Sequence, residues 1–150
     1  MTDGYEITRV VPATPKRLFE AWLDSREHGS MTGRAATVSW GVDDPLSVLD
    51  GLITGTNLEV EPNRHIAQRW RTKESGLGVS ESRVELELIT GWRFKGGVGS
   101  PFARTTLIVR HSGLPSAQTT FNADWWEENY FKPMDAYFGQ GRNRWTRPLL

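Results

Sequence analysis

The stretch L-D-G-L-I-T-G-T-N-L-E-V-E-P-N-R-H-I-A-Q-R-W-R, residues 49–71, predicts a β-hairpin. Its two halves contain the β-branched and aromatic residues that favour extended backbone. Between them, Glu61-Pro62-Asn63-Arg64 has the proline and asparagine that are typical of a tight turn. We therefore expect an antiparallel sheet here and look outward for its other strands.

The next segment, Ser80–Ile89, alternates between two faces of a predicted strand. One face carries Ser82, Val84, Leu86 and Leu88, and the other carries Glu81, Arg83, Glu85 and Glu87. This alternation is typical of an antiparallel sheet with one face toward solvent. Further strands are predicted at Tyr5–Val11, Ala36–Gly41 and Arg104–Ser112, and a loop at Gly91–Pro101.

Two short helices are predicted after the first strand. Thr14-Pro15 supplies an N-cap followed by a proline at the first helical position. Apolar residues then recur at helical spacing. These are Leu18, Phe19, Trp22 and Leu23. Asp24-Ser25 ends this helix and begins a second short one that reaches His28-Gly29.

A longer helix closes the sequence. Its apolar stripe repeats at intervals of four, four and three residues, which is the spacing of one helix face. The stripe consists of Trp126, Tyr130, Met134 and Tyr137. Pro133 lies inside this pattern and should kink the helix near Asn129, because proline removes a backbone donor and crowds the carbonyl four residues earlier.

The order of these elements predicts an α+β fold in a single domain, 1–150, with a flexible tail from about residue 142 to residue 150. About six or seven strands form a strongly bent antiparallel sheet, and the long helix lies across it. Where the sheet curves away from the helix, a cavity can remain.

Composition narrows the classes of function. Lysine plus arginine equals aspartate plus glutamate, at 18 each, so no nucleic-acid partner is predicted. The absence of cysteine excludes disulfides and thiolate metal sites and favours a cytoplasmic location. The first residues, Met1–Tyr5, lack the features of a signal peptide. The apolar runs are also too short for a membrane span.

A series of motifs resembles the Activator of Hsp90 ATPase homologue 1-like family, within the START-like (SRPBCC, Bet v 1-type helix-grip) superfamily. The motifs are Val11–Phe19 with Trp22, Asp50-Gly51, Gly55, Glu59–Pro62, Ile66 with Trp70-Arg71, Ser82–Leu88, Thr105–Leu107 with His111–Pro115, and Trp126 with Tyr130-Phe131 and Phe138–Gly141. Their order and spacing together carry the resemblance. It implies a helix-grip fold, in which the bent sheet wraps around the C-terminal helix and holds a ligand.

No catalytic, metal or cofactor site emerges from the motifs. The histidines are His28, His65 and His111, and their spacing does not match that of a metal-binding pair. Gly78–Ser82 lacks the closing glycine of a nucleophile elbow. Ser112 should lie on the opposite strand face from His111. Lys95–Ser100 lacks the spacing of a phosphate-binding loop.

The residues expected to line a cavity come from the inward strand positions and the apolar helix stripe. They are Gln68, Trp70, Ser82, His111, Trp126, Tyr130, Met134 and Tyr137. Among these, the Tyr130 hydroxyl, the Gln68 amide and the His111 imidazole are the polar groups available to a ligand.

Three functions remain open. The preferred one is a non-enzymatic domain, monomeric or homodimeric, that binds a small apolar or amphipathic molecule such as a lipid or a polyketide. The second, motivated by the resemblance, is a co-chaperone-like domain that contacts a chaperone or another protein. A third alternative is an enzyme of the cyclase or dehydratase kind that uses His111, Tyr130 and Gln68 in the same cavity.

Overall fold

The computed structural model describes residues 2–74, 78–91, 104–115 and 120–146, with side chains within 4–72, 81–91, 104–114 and 120–139. Its strands are β1 (Thr2–Val11), β2 (Pro45–Val48), β3 (Ile53–Glu61), β4 (His65–Glu74), β5 (Gly78–Thr90) and β6 (Thr105–Pro115). Its helices are α1 (Pro15–Leu23), α2 (Ser25–Thr32), α3 (Ala123–Trp126), a π-helical turn (Glu127–Phe131) and α4 (Lys132–Thr146).

The six strands form one antiparallel sheet in the order β1-β6-β5-β4-β3-β2. The hairpin predicted from residues 49–71 is β3–β4, with Glu61 opposite His65 across the turn. Register shifts between Asn57 and Glu59 and between Asp3 and Tyr5 mark irregular points in the pairing, and such bulges bend a sheet. The α+β helix-grip fold is therefore confirmed.

The prediction of a strand at Ala36–Gly41 was wrong. Only one isolated bridge, Thr37 to Ser47, connects this segment to the sheet. Side chains hold the rest of its backbone: Ser25 Oγ accepts from the Val38 amide, and Asn57 Nδ2 donates to the carbonyls of Ser39 and Gly41. These local bonds replace ladder pairing, so the segment is an ordered connection rather than a strand.

The two short helices begin at the predicted caps, and α2 continues to Thr32, beyond its predicted end at His28-Gly29. Thr14 caps α1 by accepting from the Arg17 amide, with Pro15 in the first turn. Asp24 ends α1 and caps α2 by accepting from the Glu27 amide. Gly33 ends α2 in the left-handed conformation at φ 77°, which glycine adopts without steric cost.

The final helix has a π-helical turn immediately before Lys132-Pro133. The Lys132 amide bonds to the Glu127 carbonyl, five residues back. Pro133 has no amide hydrogen, and its ring would crowd the Asn129 carbonyl in a regular α-helix. The widened turn accommodates the proline at the place where a kink was predicted. α4 then extends to Thr146 and includes part of the segment predicted as a tail, while residues 147–150 lie outside the described part.

The sheet has one inner and one outer face, as the alternation in β5 predicted. Val84, Leu86 and Leu88 are buried on the inner face under the helices. The outer face carries paired charges: Arg83 binds Glu59 and Glu85, and Arg110 binds Glu6 and Glu87. The predicted loop Gly91–Pro101 lies outside the described residues apart from Gly91.

Candidate functional site

Strands β4, β5 and β6 place four of the predicted site residues side by side on the inner face. Trp70 pairs with Ser82, and Gln68 pairs with Val84, which in turn pairs with His111. Because side chains alternate along each strand, these inner positions all face the C-terminal helix. Gln68, Trp70 and His111 are buried, and Ser82 is half-buried.

The C-terminal helix covers this face with its apolar stripe. Trp126, Tyr130 and Met134 are fully buried. The Trp126 ring stacks on Trp70 with centroids 5.4 Å apart and planes 15° apart, and Tyr130 lies 5.3 Å from Trp126. The side chains that the sequence assigned to opposite walls of a cavity are therefore in direct contact around Trp70.

More aromatic side chains complete this assembly than the sequence predicted. Phe121 packs 5.1 Å from the His111 ring and 4.7 Å from Trp125, and Trp22 of α1 lies 4.7 Å from Tyr130. We define the aromatic cluster as Trp22, Trp70, His111, Phe121, Trp125, Trp126 and Tyr130. Trp125 is only half-buried, so the cluster approaches solvent at its side.

His111 bonds to the helix through Nδ1 and to a neighbouring strand through Nε2. Trp126 Nε1 donates to His111 Nδ1 at 3.2 Å, and the Tyr5 hydroxyl lies 3.1 Å from the same nitrogen. An indole N–H can only donate, so Nδ1 is the acceptor in the neutral ring. The proton therefore sits on Nε2, which donates to Ser82 Oγ at 2.9 Å.

This tautomer determines what the Ser82–His111 pair can do. A general base would need a lone pair on the nitrogen facing the serine, whereas here that nitrogen carries the proton. Burial also lowers the pKa of His111 to about 4, so the ring is neutral near pH 7. The pair is suited to holding a neutral polar group and does not activate the serine.

His28 forms a second polar connection that the sequence analysis did not include in the site. It is fully buried in α2, where Nδ1 donates to the Trp22 carbonyl at 2.8 Å. Its Nε2 accepts from the Tyr130 hydroxyl at 2.9 Å. Burial lowers the pKa of His28 to about 4 and raises the pKa of Tyr130. The sequence feature that could have identified His28 is its position three residues before the buried Met31, on the inner side of α2.

Gln68 forms a third connection, which leads out of the cluster. Its Oε1 accepts from Trp70 Nε1 at 3.0 Å and from Trp22 Nε1 at 3.4 Å. Its Nε2 donates to Asn57 Oδ1 at 2.9 Å. Asn57 was also missed, although it lies on the same strand face as the buried Ile53. Gln68 thus satisfies two buried indoles and joins them to the 39–41 segment.

Tyr137 lies apart from the other predicted site residues. Its hydroxyl donates to Glu27 Oε1 at 2.5 Å, and Arg17 donates to it at 3.4 Å. The Arg17 guanidinium also lies over the Tyr137 and Phe138 rings, 5.5 Å and 5.3 Å from their centroids. This group joins α4 to α1 and α2 at the half-buried periphery.

The enzymatic alternative named His111, Tyr130 and Gln68 as partners in one site. In the structure the hydrogen bonds of these three residues lead to different neighbours, namely Ser82, His28 and Asn57. Within the described part of the chain, no group of three or more potential metal ligands comes together. None of the helices described is long and apolar enough to cross a membrane.

Comparison with known proteins relates this architecture to others. The chain matches the family model described as Activator of Hsp90 ATPase homolog 1-like protein over residues 12–139. No curated protein matches it. An HSP90 activator from Plasmodium falciparum is 21% identical, with a TM-score of 0.70 over 91% of this chain and 96% of that chain.

Two further solved structures have a similar fold. CalU16 from Micromonospora echinospora is 17% identical, with a TM-score of 0.67 over 95% of this chain and 80% of that one. DynU16, a protein in the dynemicin biosynthetic locus, is 21% identical, with a TM-score of 0.66 over 93% of this chain and 48% of that one. At these identities the likeness concerns the fold. The family match spans most of the sequence, so the chain belongs to the Activator of Hsp90 ATPase homolog 1-like family.

Proposed function

We propose that this protein binds a small apolar or amphipathic molecule, such as a lipid or a polyketide, between its sheet and its C-terminal helix. The aromatic cluster around Trp70 is the observation that carries this proposal. Ligand sites are typically apolar and aromatic with a few placed polar groups, and the cluster has that composition.

A ligand would reach the cluster on the side of Trp125, its half-buried member. Tyr5 and Ser82 flank His111 there, and Trp125 belongs to the same region through its contacts with Trp70 and Phe121. A ligand that enters on this side would meet ring faces and neutral hydroxyl groups. An uncharged ligand fits best, because a buried charge would find no opposite charge among these groups.

The groups at the site favour binding over proton transfer. Burial lowers the pKa of His111 to about 4 and raises the pKa of Tyr5 to about 12. Neither group would exchange a proton readily near pH 7, where general acid–base catalysis works best with a pKa close to the operating pH. DynU16, from a biosynthetic locus, supports a natural product as the kind of ligand to test first.

The first test is native mass spectrometry of the purified protein, compared with the same sample under denaturing conditions. A retained molecule that is lost on denaturation would support binding and would supply its mass. Candidate lipids, aromatics and polyketides are then titrated while tryptophan fluorescence is followed. If none of them binds and none changes the melting temperature, the proposal fails.

Two tryptophan variants make this titration specific. Trp125→Ala should weaken binding roughly tenfold, which corresponds to the loss of one aromatic contact. Trp40→Ala is the matched control, because Trp40 is 47% exposed and packs edge-on against Phe19, outside the cluster. Equal affinities for the two variants would contradict a site at the cluster.

A second candidate function, contact with an Hsp90-type chaperone, is favoured by one exposed loop. Trp40 and Val42 are about half exposed. Their loop is held firmly, since the Asp44 carboxylate accepts from Ser39 Oγ at 2.8 Å and from the Gly41 amide at 3.0 Å. Rigid exposed tryptophans are frequent anchors of protein interfaces. Stimulation of a cognate Hsp90 ATPase, lost in Trp40→Ala and kept in Trp125→Ala, would support this role, and absence of stimulation would remove it.

A further inference from the structure

A groove of about 440 Å³ opens on the outer face of the sheet, on the side away from the aromatic cluster. It lies where β2, β3, β4 and β5 run side by side. Its lining consists of Pro45, Leu46, Thr54, Gly55, Thr56, Arg69, Arg71 and Glu81. The proposed binding between sheet and helix does not use this groove.

Hydrogen-bond donors line the groove in a regular array. Thr54 is paired with Arg71 across the ladder, and Thr56 is paired with Arg69. Directly opposed residues on one face lie within side-chain contact distance. Among the described residues, neither threonine hydroxyl has a hydrogen-bond partner. The array therefore offers two hydroxyl groups beside two guanidinium groups.

The two arginines share one carboxylate. Arg71 donates to Glu81 Oε2 through Nε at 3.2 Å and Nη2 at 3.0 Å. Arg69 Nε lies 3.7 Å from Glu81 Oε1, which is an ion-pair distance and too long for a hydrogen bond. Within the described part of the chain, Arg69 has no closer acidic partner, so its planar set of donors is available to a ligand.

The charge balance at the groove differs from that of the rest of the outer face. Arg83 and Arg110 each contact two glutamates. Among the side chains described at the groove the ratio is reversed, since two positive charges face the single negative charge of Glu81. The difference leaves one positive charge, which a monoanion would neutralise.

Gly55 lines the groove at a point where β3 and β4 approach each other closely. A Cβ atom there would fall 1.7 Å from the Arg69 carbonyl oxygen. Only glycine permits this close approach of β3 to β4. Pro45, exposed on the adjoining strand β2, adds apolar surface at one side.

We propose that this groove binds the carboxylate group of a small organic acid. Arg69 and Arg71 hold the anion, because a planar guanidinium matches the two oxygens of a carboxylate. Thr54 and Thr56 donate to the same group. The hydrocarbon part of the acid lies against Pro45 at the β2 side of the groove.

The test is a titration followed by ¹⁵N–¹H NMR, with acetate, hexanoate and inorganic phosphate as probes at equal ionic strength. Hexanoate should shift the backbone amides of residues 54–56, 69 and 71 and should bind more tightly than acetate, because its chain reaches β2. Phosphate, which carries more charge than the groove can neutralise, should bind less well than hexanoate. Equal or tighter binding of phosphate would overturn the carboxylate assignment.

Variants that remove either a positive or a negative charge from the groove should change the affinity in opposite directions, which makes the test specific. Arg69→Gln and Arg71→Gln should each weaken hexanoate binding about tenfold, the equivalent of one charge-assisted hydrogen bond. Glu81→Gln should strengthen binding, because it removes the competing carboxylate. Arg110→Gln and Glu87→Gln are the matched controls from the same face and should change nothing.

Three outcomes would overturn the proposal. The first is the absence of shifts at the groove amides, and the second is unchanged affinity in Arg69→Gln and Arg71→Gln. The third is weaker binding in Glu81→Gln, because that carboxylate competes with the ligand. Circular dichroism of each variant confirms that the comparison is made on folded protein.

Discussion

At the scale of single residues, two buried histidines are held neutral in opposite tautomers. His28 carries its proton on Nδ1 because a carbonyl accepts there, and His111 carries its proton on Nε2 because an indole donates to Nδ1. Each ring makes the hydrogen bonds that its position requires, so neither is left with an unsatisfied nitrogen in an apolar interior. Protonation would place an unpaired charge in the core.

Stability should therefore fall when the pH is lowered through the histidine range. The pKa of His28 is about 4 in the folded protein and 6.5 in the unfolded chain. Between these pH values the unfolded state binds more protons than the folded state. The contribution of neutral His28 to the free energy of unfolding is therefore fully present above pH 6.5 and declines toward pH 4. The contribution of His28 is roughly 3 kcal/mol at most.

Urea unfolding across this window measures the effect, with His28→Gln as the comparison. Glutamine can still donate to the Trp22 carbonyl and accept from Tyr130, but it cannot titrate. The variant should lose a large part of the pH dependence, leaving the part that His111 contributes. A variant whose stability falls as steeply as that of the parent would show that His28 is not the group responsible.

Gly55 should be intolerant of even a methyl group. In Gly55→Ala, the Cβ would lie 1.7 Å from a backbone oxygen, so one strand must move. We expect a loss of about 3 kcal/mol in the free energy of unfolding. Gly139→Ala is the matched control: outside its own helix turn, no described atom lies within 4 Å of the Cβ position, and alanine should stabilise the helix by up to about 1 kcal/mol. Chemical denaturation of both variants checks the contrast.

At the scale of elements, the C-terminal helix is attached at two separate places. Its first half contacts the sheet through Trp126 and Tyr130. Its second half contacts α1 and α2 through Tyr137, Glu27 and Arg17. The π-helical turn contains Tyr130 of the first attachment, and Tyr137 of the second lies beyond it on α4, so each half packs against its own neighbours.

This division predicts different results for two tyrosine variants. Tyr137→Phe removes a half-exposed hydrogen bond and should cost about 1 kcal/mol of stability, with no change in the affinity for a ligand at the aromatic cluster. Tyr130→Phe leaves the buried His28 Nε2 without a donor and should cost about 1–3 kcal/mol. Thermal unfolding and ligand titration of both variants separate the two attachments. A loss of affinity in Tyr137→Phe would instead place Tyr137 in the binding site, as the sequence analysis expected.

At the scale of the whole molecule, one hydrophobic core connects all the layers. It includes Val11 of β1, Trp22 of α1, Met31 of α2, Leu46 of β2 and Met134 of α4. Because none of the described helices and strands has a core of its own, the chain should unfold in a single cooperative transition. Far-ultraviolet circular dichroism and tryptophan fluorescence should give the same midpoint in urea. Two separate midpoints would contradict a single domain.

Local patterns in the sequence predicted most of the fold. The caps at Thr14 and Asp24, the alternation of residues 80–89 and the turn at residues 61–64 each act over a few neighbouring residues, and all appear in the structure. The segment Ala36–Gly41 was predicted wrongly because its backbone is bonded by side chains from distant positions, Ser25 and Asn57. Those bonds leave no periodic pattern.

Only part of the candidate site could be predicted, because periodicity is local and its contacts join distant residues. Periodicity shows which face of a strand or helix is inward, so it found Gln68, Trp70, His111 and Trp126, which are buried together. It could not show that His111 contacts Ser82, or that His28 contacts Tyr130, because those pairs are 29 and 102 residues apart. The sequence by itself determined the elements and their inner faces, since those depend on local propensity and alternation. Only the tertiary structure decided the hydrogen-bond partners, the tautomers and the charge balance of the outer groove, since these depend on strand register and helix packing.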